Sequence, residues 1–228
     1  MCAEDRVRDT FDRLADEYDE LKLRVIPGYR EVQDLALRYA NQVPAQRVLE
    51  LGCGTAEWAS TFLRSHPAAA YVAVEFSPKM RDLASRRLGS HGTRARLLDQ
   101  DLNASLPAGP FDFVVSFFAI HHVGNKQRLV EEVFASLAPG GSFLYADITV
   151  AADPALERAF QEGWVAFMLE AGLDPERIPH VLADHGDNDL AESSSAQVSY
   201  LRAAGFAPAE IVWCREKFAV FYGAKSQP

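Results

Sequence analysis

The chain carries the stretch VLELGCGTA at residues 48–56, in which an apolar run ends abruptly at two glycines, Gly52 and Gly54. The apolar run is typical of a buried parallel strand. Glycines at a strand-to-helix turn let the backbone approach a ligand closely, because glycine lacks a Cβ and tolerates positive φ angles. The stretch therefore predicts a strand, a tight turn and a helix beside a ligand.

A second apolar run, AYVAV at residues 70–74, is closed by Glu75. An acidic side chain at the tip of the second strand of such a sheet can accept hydrogen bonds from both hydroxyls of a ribose. The glycine turn and Glu75 together predict a ligand that contains a nucleoside.

The turn lacks the features of a diphosphate site. A dinucleotide fingerprint has a third glycine where this chain has Glu57, and Glu50 precedes the turn. Two carboxylates would repel a diphosphate, whereas they suit an ammonium or sulfonium group. The phosphate-binding sequence GK[ST] is also missing from the chain. These features favour a nucleoside cofactor that carries positive charge.

Strands and helices alternate on both sides of this stretch, which predicts a parallel sheet covered by helices on both faces. Ser77 is an expected N-cap with Pro78 in the first turn, and residues 139–141 (PGG) are expected to form the turn that ends a helix. The predicted strands are 47–52, 70–76, 94–99, 111–118 and 142–149, and the predicted helices are 56–65, 78–88 and 126–138.

The flanking segments are mainly helical. Apolar residues at helical spacing predict a single amphipathic helix over 4–22, followed by a helix over 29–43. After Asp153 the pattern predicts helices at about 154–171, 174–184 and 194–204, a loop at 185–189, and an antiparallel edge hairpin of strands 211–214 and 218–222.

We expect one domain, 1–228, made of an N-terminal helical lid (1–43), a cofactor-binding core (44–150), a helical cover (151–192) and a C-terminal helix with a hairpin (193–228).

Composition restricts the function classes. The chain has 228 residues and a net charge of −9, and it lacks a basic run, which argues against tight binding to a nucleic acid backbone. The three cysteines, Cys2, Cys53 and Cys214, have no metal-ligand spacing and are odd in number, as expected in a reducing cytoplasm. The sequence shows no signal peptide and no membrane span. We expect a cytoplasmic protein without a membrane or nucleic acid partner, and a homodimer is left open.

The ordered motifs over residues 47–149 resemble those of the class I S-adenosylmethionine (SAM) methyltransferases. The motifs are the ELGCG turn at 50–54, Glu75, QDL at 100–102, FDFVVSFFAIHH at 111–122 and LAPGGSF at 137–143, with Ala56 where the family usually has a third glycine. The resemblance implies a doubly wound α/β fold with a mostly parallel seven-stranded sheet and a reversed final strand. It also implies SAM as the cofactor and S-adenosylhomocysteine as the product.

The resemblance also implies roles for individual residues. Asp101, rather than Asp99, would receive the adenine amino group, and the backbone carbonyl of Phe117 would accept from the ammonium group. Tyr18 and Tyr29 would close over the cofactor, although Tyr18 also belongs to an apolar helical stripe. The full predicted cofactor site is Tyr18, Tyr29, Glu50, Gly52, Cys53, Gly54, Thr55, Glu75, Phe76, Met80, Asp101, Leu102 and Phe117.

His121 and His122 are the candidate catalytic residues. They follow the fourth strand, at the edge of the sheet where ligands bind, and one of them would act as the base if the acceptor must lose a proton. The alternative is that one histidine packs in the scaffold and the other faces solvent. No metal site is predicted from His185, Asp187 and Asp189. Four residues at helical spacing are expected to be core rather than pocket lining: Phe160, Trp164, Phe167 and Met168.

The N-terminal segment VIPGY at 25–29 and the C-terminal residues 204–206, Trp213 and 218–220 are similar to segments of the carboxy-SAM synthases of tRNA wobble-uridine modification. In that branch an arginine holds the extra carboxylate, and Tyr200 stands at its position. Without that charge partner a carboxylate would be unpaired, so we do not expect this activity.

The leading functional hypothesis is a methyltransferase that acts on an oxygen, nitrogen or carbon atom of a small molecule. The alternatives are a tRNA-modifying enzyme related to the carboxy-SAM synthases, a protein methyltransferase, a SAM-binding protein that uses the sulfonium without methyl transfer, and a binding module without catalysis. A basic groove would favour a tRNA substrate, whereas a cavity without room beyond the sulfur would favour the binding module.

Overall fold

The computed structural model describes residues 3–227, apart from the side chains of Ala3, Glu4 and Asp187, so that Cys2 lies outside the described residues. Within this range one seven-stranded sheet has the strand order β3-β2-β1-β4-β5-β7-β6. The strands are β1 (Arg47–Leu51), β2 (Ala70–Glu75), β3 (Ala95–Asp99), β4 (Phe111–Phe117), β5 (Leu137–Ile148), β6 (Ala209–Arg215) and β7 (Phe218–Ala224).

Strands β1 to β5 pair in parallel, and β7 runs antiparallel to both β5 and β6. This arrangement confirms the predicted mostly parallel sheet with a reversed final strand and an edge hairpin. The carboxyl ends of β1, β2 and β4 meet at one edge of the sheet, where a parallel sheet binds its ligands.

Helices cover both faces of the sheet. Buried residues of α3 and α4 pack on one face, and those of α6 and α9 pack on the other. The helices are α1 (Ala3–Leu14), α2 (Tyr18–Val25), α3 (Tyr29–Ala40), α4 (Glu57–Ser65), α5 (Pro78–Leu88), α6 (Lys126–Ser136), α7 (Pro154–Glu170), α8 (Ile178–Asn188) and α9 (Ser194–Ala204). Across residues 3–227 none of them combines the length and the apolar character needed to cross a membrane.

The predicted helix start at Ser77 is confirmed. Its hydroxyl accepts a hydrogen bond from the Met80 amide at 3.2 Å, and Pro78 occupies the first turn of α5. The helix predicted over 194–204 is also confirmed, and it ends where Gly205 adopts the left-handed conformation with φ +105°.

The single helix predicted for residues 4–22 is wrong, because the chain breaks between α1 and α2. The amides of Glu17 and Tyr18 bond to the carbonyls three residues earlier, on Leu14 and Ala15, instead of four. The tighter turn redirects the chain, but the apolar stripe stays continuous, since the rings of Phe11 and Tyr18 meet edge to face at 5.9 Å.

The PGG turn predicted at 139–141 is wrong. Helix α6 ends at Ser136, and the strand already begins at Leu137. The pairing of β4 with β5 is irregular between Phe111 and Phe113, where the extra residues of β5 are accommodated. Gly140 allows this irregularity because its φ is +77°.

The loop predicted at 185–189 is also wrong. Helix α8 continues to Asn188, and Asp189 caps it by donating its backbone N–H to the carbonyl of His185 at 3.2 Å. The side chains of His185 and Asp189 also pair one helical turn apart. An ion pair one turn apart stabilises a helix, so the segment 185–188 is helical although its polar composition is typical of a loop.

Candidate functional site

The turn after β1 brings the backbone against the loop after β4. Gly52 and Gly54 have φ angles of +67° and +53°. A Cβ on Gly52 would lie 2.5 Å from the Cβ of Ala119, so glycine is required for this approach. Ala56 is also left-handed, with φ +59°, and thus takes the backbone conformation that a third glycine would provide.

Glu75 is fixed at the tip of β2. Its carboxylate accepts hydrogen bonds from the amides of Gly54 at 2.9 Å, Phe76 at 3.0 Å and Ser77 at 2.9 Å. Burial raises the pKa of Glu75, while these three backbone donors act against that rise. A carboxylate offers about four acceptor positions, so one remains for a ligand in the adjacent cavity.

The first cavity lies over the carboxyl ends of β1, β2 and β4 and has a volume of about 320 Å³. This volume is within the range of roughly 300–1,000 Å³ that small-molecule sites occupy. Its lining includes predicted residues from every motif except the segment 137–143: Tyr18, Gly52, Gly54, Glu75, Phe76, Met80, Asp101, Leu102, Phe117 and His122. Val7 and Phe11 of α1 also line it, and neither was predicted as a site residue.

The structure separates the two candidate adenine-binding aspartates. Asp101 lines the first cavity, and its Oδ1 accepts from the backbone and side chain of Asn103 at 2.8 and 3.1 Å. Asp99 instead pairs with Arg81 at 2.7 Å, and its side chain is 71% exposed. The geometry therefore favours Asp101, as the motif order does.

A narrow third cavity extends from the first and is lined by the predicted residues Tyr29, Glu50 and Cys53. It also contains Lys22, a buried cation that sequence reasoning missed. The Lys22 ammonium pairs with Asp19 at 2.7 Å and with Glu57 at 2.6 Å. The sequence feature that could have identified Lys22 is its position four residues after Tyr18, on the same face of the same helix.

Glu50 is buried in this third cavity. Its carboxylate accepts from the Tyr71 hydroxyl at 2.9 Å. Burial raises the pKa of Glu50 to about 8, although the Tyr71 hydrogen bond and the Lys22 charge lower it. Acidic and basic groups thus lie together around the third cavity, whose volume of about 20 Å³ is enough for one small polar group such as an ammonium.

Thr55 was predicted to contact the cofactor, but the structure places it outside these three cavities. Its hydroxyl donates to Asp19 at 2.6 Å and accepts from Arg87 at 2.7 Å. Arg87 also pairs with Asp19 at 2.7 Å. Lys22, Thr55 and Arg87 all donate hydrogen bonds to Asp19 and lower its pKa to about 2, although burial acts to raise it. Thr55 therefore links α2 to the turn before α4.

A second cavity of about 170 Å³ lies beside the first. It is formed mainly by α1, α2, α7 and α8, and most of its lining is apolar: Leu14, Leu21, Val25, Ile26, Ile148, Trp164, Val181 and Phe218. Six residues line both the first and the second cavity: Val7, Phe11, Tyr18, Phe118, His122 and Asn188. The two cavities therefore meet.

The four aromatic and apolar residues of α7 have different surroundings. Trp164 lines the second cavity as well as being buried, and its indole N–H donates to the carbonyl of Val25 at 2.6 Å. Met168 is fully buried, as expected for a core residue. Phe160 and Phe167 are partly buried and line none of the three cavities.

The polar end of the second cavity contains both candidate histidines. Asp189 Oδ1 lies 3.6 Å from Nε2 of His121 and 3.4 Å from Nδ1 of His122. The Nδ1 atom of His121 is hydrogen-bonded to the buried carboxylate of Asp147. Asp189 Oδ2 lies 2.5 Å from Nδ1 of His185. Both histidines line this cavity, His121 as a buried residue and His122 with 16% of its side chain exposed.

The surroundings shift the pKa values of the two histidines in opposite directions. Burial lowers the pKa of His121, but the charges of Asp147 and Asp189 outweigh burial and raise it. Burial and the neighbouring His121 lower the pKa of His122 to about 3. Which of the two, if either, takes a proton from an acceptor stays a prediction.

Comparisons with known proteins identify the family of this chain. Residues 48–141 match the methyltransferase domain family. An uncharacterized methyltransferase of Geobacillus kaustophilus is 30% identical over 172 residues, which cover 74% of this chain and 76% of that protein. The chain therefore belongs to the SAM-dependent methyltransferase family, and its cofactor is SAM.

Other relatives show how far the similarity extends. A demethylmenaquinone methyltransferase of Thermus thermophilus is 31% identical over 58% of this chain and 60% of that protein. The solved structure of an O-methyltransferase family protein from Burkholderia thailandensis matches with a TM-score of 0.65 and 19% identity, covering 98% of this chain and 59% of that chain. This chain thus spans only about three fifths of these two proteins.

A carboxy-S-adenosyl-L-methionine synthase of Campylobacter hominis is 23% identical over 94% of this chain and 93% of that protein. The similarity noted for the N-terminal and C-terminal segments is therefore confirmed. Tyr200, however, donates its hydroxyl to Glu192 at 3.0 Å and lines none of the three cavities. In this position it offers no charge partner for an added carboxylate.

The residues present fit SAM. Glu75 keeps one acceptor position for the ribose, and Asp101 lies where the adenine amino group is expected. Glu50 in the third cavity offers an acidic group for the ammonium of the amino acid portion, beside the Lys22 ammonium that Asp19 and Glu57 hold in place. Gly54 suits the turn through its φ of +53°, and a Cβ there would make only an ordinary contact, 3.5 Å from the ring of Tyr18.

Proposed function

We propose that this chain transfers the methyl group of SAM to a small, largely apolar molecule bound in the second cavity. The observation that carries the proposal is the junction of two cavities at shared residues, among them Tyr18 and His122. Methyl transfer needs the nucleophile to be aligned with the reactive methyl group, and two compartments that meet at one place provide that alignment.

SAM supplies a methyl group on a sulfonium that is already a strong electrophile. The protein has to align the two reactants and exclude water, which can be worth an effective molarity of about 10⁵ M or more. Phe11 and Tyr18 of the N-terminal helices lie at the junction and are suited to exclude water. Glu75 and Asp101 hold the other end of the cofactor in a fixed orientation.

The lining of the second cavity indicates the chemical class of the acceptor. Its walls are aliphatic and aromatic, while His121, His122 and Asp189 form a polar end next to the first cavity. An acceptor with an apolar body and one nucleophilic group would place that group at the polar end. The net charge of −9 also supports a small molecule over a nucleic acid.

The free cysteines Cys53 and Cys214 are consistent with a reducing compartment, which supports a cytoplasmic acceptor. We further infer that residues 1–43 act as a lid over the first and second cavities within a single domain, because Val7, Phe11 and Tyr18 line both cavities.

A transfer assay with methyl-labelled SAM tests the proposal. Purified full-length protein is incubated separately with a low-molecular-mass metabolite extract, total tRNA and total protein, and labelled products are identified by mass spectrometry. We expect label in the metabolite fraction. Label confined to RNA or protein would contradict the small-molecule assignment.

A cavity-filling variant tests the location of the acceptor. Val181 lines the second cavity but neither of the others, so Val181→Trp should reduce transfer by about tenfold or more while SAM affinity stays within about twofold. Leu169→Trp is the matched control, since Leu169 is 49% exposed and lies outside these cavities. Wild-type transfer by Val181→Trp would refute this location.

A further inference from the structure

His121, His122 and Asp189 form a cluster of potential metal ligands at the polar end of the second cavity. One ligand atom from each residue can be chosen so that all three lie within 4.8 Å of one another. The histidines come from the turn after β4, whereas Asp189 caps α8. The cluster is formed by the tertiary fold, because residues from two distant segments converge on it.

The measured separations are compatible with metal coordination. Metal–nitrogen and metal–oxygen distances of about 2.1 Å and a tetrahedral arrangement place neighbouring ligand atoms about 3.4 Å apart. Asp189 Oδ1 lies 3.4 Å from Nδ1 of His122 and 3.6 Å from Nε2 of His121. The His121 separation is beyond hydrogen-bond range, and the His122 separation is at its long limit, where Nδ1 also contacts the carbonyl of Asn188 at 3.4 Å. Long contacts of this kind suit atoms that share an ion.

The hydrogen bonds around the cluster orient its ligand atoms. The carboxylate of Asp147 bonds Nδ1 of His121, which leaves Nε2 facing Asp189. The second oxygen of Asp189 is bonded to His185 at 2.5 Å, which leaves Oδ1 facing both histidines. In metal sites, a ligating histidine commonly donates its other ring N–H to a carboxylate. That hydrogen bond fixes the ring orientation and raises the basicity of the ligand.

A further observation also points to a missing ligand. Asn188 Oδ1 is buried and has no hydrogen-bond partner among residues 3–227, although Asn188 lines both the first and the second cavity. A buried amide oxygen without a partner is costly unless a ligand or water occupies the adjacent space. It would accept a hydrogen bond from a water molecule or an acceptor hydroxyl held next to the ion.

We propose that His121, His122 and Asp189 bind one divalent transition-metal ion that holds and activates the methyl acceptor. Two imidazoles and one carboxylate suit Zn²⁺, Fe²⁺, Co²⁺, Ni²⁺ or Mn²⁺, and such a set leaves coordination positions open. The open positions would face the second cavity. The role in acceptor activation rests on the proposed function, whereas the binding of the ion does not.

The chemistry requires an oxygen on the acceptor. A hydroxyl coordinated to the ion loses its proton to water, because a divalent ion lowers the pKa of a bound oxygen acid. The oxygen electron pair then forms a bond to the methyl carbon, while the carbon–sulfur electron pair returns to the sulfur. The products are a methyl ether, S-adenosylhomocysteine and one proton, so the step needs no oxidant or reductant.

Metal binding can be measured without any acceptor. Full-length protein is stripped with a chelator, and the binding of Zn²⁺ and of Co²⁺ is followed by calorimetry, elemental analysis and the visible absorption of bound Co²⁺. We expect one ion per chain. Asp147→Asn should weaken binding by about 10–100-fold as an outer-shell change, and Asp189→Asn should weaken it further.

His180→Ala is the matched control, because His180 is an exposed histidine on α8 outside the cluster, and its metal binding should equal that of wild type. Asp189 lines the second cavity but not the first, so Asp189→Asn should keep wild-type SAM affinity, which shows that the variant is folded.

Absence of stoichiometric binding in wild type, or binding that Asp189→Asn leaves unchanged, would overturn the metal site. Transfer at the full rate by metal-free protein would overturn the activating role. Stoichiometric binding without methyl transfer to any acceptor would support the metal site and refute the proposed function, so the two failures can be distinguished.

Discussion

Glu50 and Glu75 are buried carboxylates at the carboxyl ends of neighbouring strands, but different groups stabilise them. Glu75 accepts three backbone N–H bonds, whereas Glu50 is hydrogen-bonded by the neutral hydroxyl of Tyr71. Because burial raises the pKa of Glu50 to about 8, this side chain is mostly protonated at neutral pH in the unliganded protein. A positively charged ligand in the third cavity would favour its ionised form.

The raised pKa of Glu50 predicts a pH dependence of stability. Between the unfolded value of 4.5 and the folded value of about 8, only the folded state keeps the proton, so the free energy of unfolding falls as the pH rises. Glu50→Gln does not titrate and can still accept from Tyr71. From about pH 5 to about pH 8, denaturant unfolding should show the wild type losing about 2–4 kcal/mol relative to the variant. Parallel pH profiles would contradict the buried proton.

A second prediction concerns the role of Asp101 in SAM binding. Asp101→Ala should weaken SAM binding by about 1–3 kcal/mol, because it removes the acceptor expected for the adenine amino group. Asp99→Ala is the control, since Asp99 forms an exposed ion pair outside the first cavity and such pairs contribute little. Calorimetric titration measures the SAM affinity of both variants, and equal affinities would refute the adenine role of Asp101.

At the element scale, the glycine turn after β1 predicts a steric effect. Gly52→Ala places a Cβ 2.5 Å from the Cβ of Ala119 on a backbone with φ +67°, so we expect a loss of about 1–3 kcal/mol in stability and much weaker SAM binding. Gly89→Ala is the control, because Gly89 has helical φ and a Cβ there would meet nothing within 4 Å. Equal unfolding midpoints for the two variants would contradict the packing described for the turn.

Elements with a strong local signal could be predicted from the sequence. Strands β1 and β2 are apolar runs closed by glycine or glutamate, and α5 has both its cap and its first-turn proline. The predicted end of α8 is too early because the polar sequence from His185 to Asp189 is typical of a loop. The local pair of His185 with Asp189 extends the helix, and contacts of Asp189 with residues after β4 arise only in the folded chain. The break between α1 and α2 has no glycine or proline to mark it.

At the scale of the whole molecule, the first cavity could be predicted because the carboxyl ends of parallel strands share one edge. The second cavity and Lys22 could not be predicted, because α1, α2, α7 and α8 pack around them through contacts that no local pattern specifies. The structural role of Thr55 could not be predicted either, since its hydroxyl donates to Asp19 of another helix, and its cofactor contact stays a prediction.

Closure by the N-terminal helices predicts a change in dynamics on cofactor binding. Hydrogen exchange in α1 and α2 should slow when S-adenosylhomocysteine is added, because Val7, Phe11 and Tyr18 line the first cavity and a ligand there restrains them. Helix α9 supplies the internal comparison, since none of its residues line the three cavities. Exchange that slows equally in α1 and α9 would contradict a lid role for residues 1–43.

A crystal structure of the chain with S-adenosylhomocysteine would locate both ends of the cofactor. We expect the adenosine between Glu75 and Asp101, with the amino acid portion beside Lys22 and Glu50. The sulfur should lie at the junction of the first and second cavities, next to Tyr18 and His122. An adenosine bound elsewhere, or a sulfur that faces away from the second cavity, would contradict this placement.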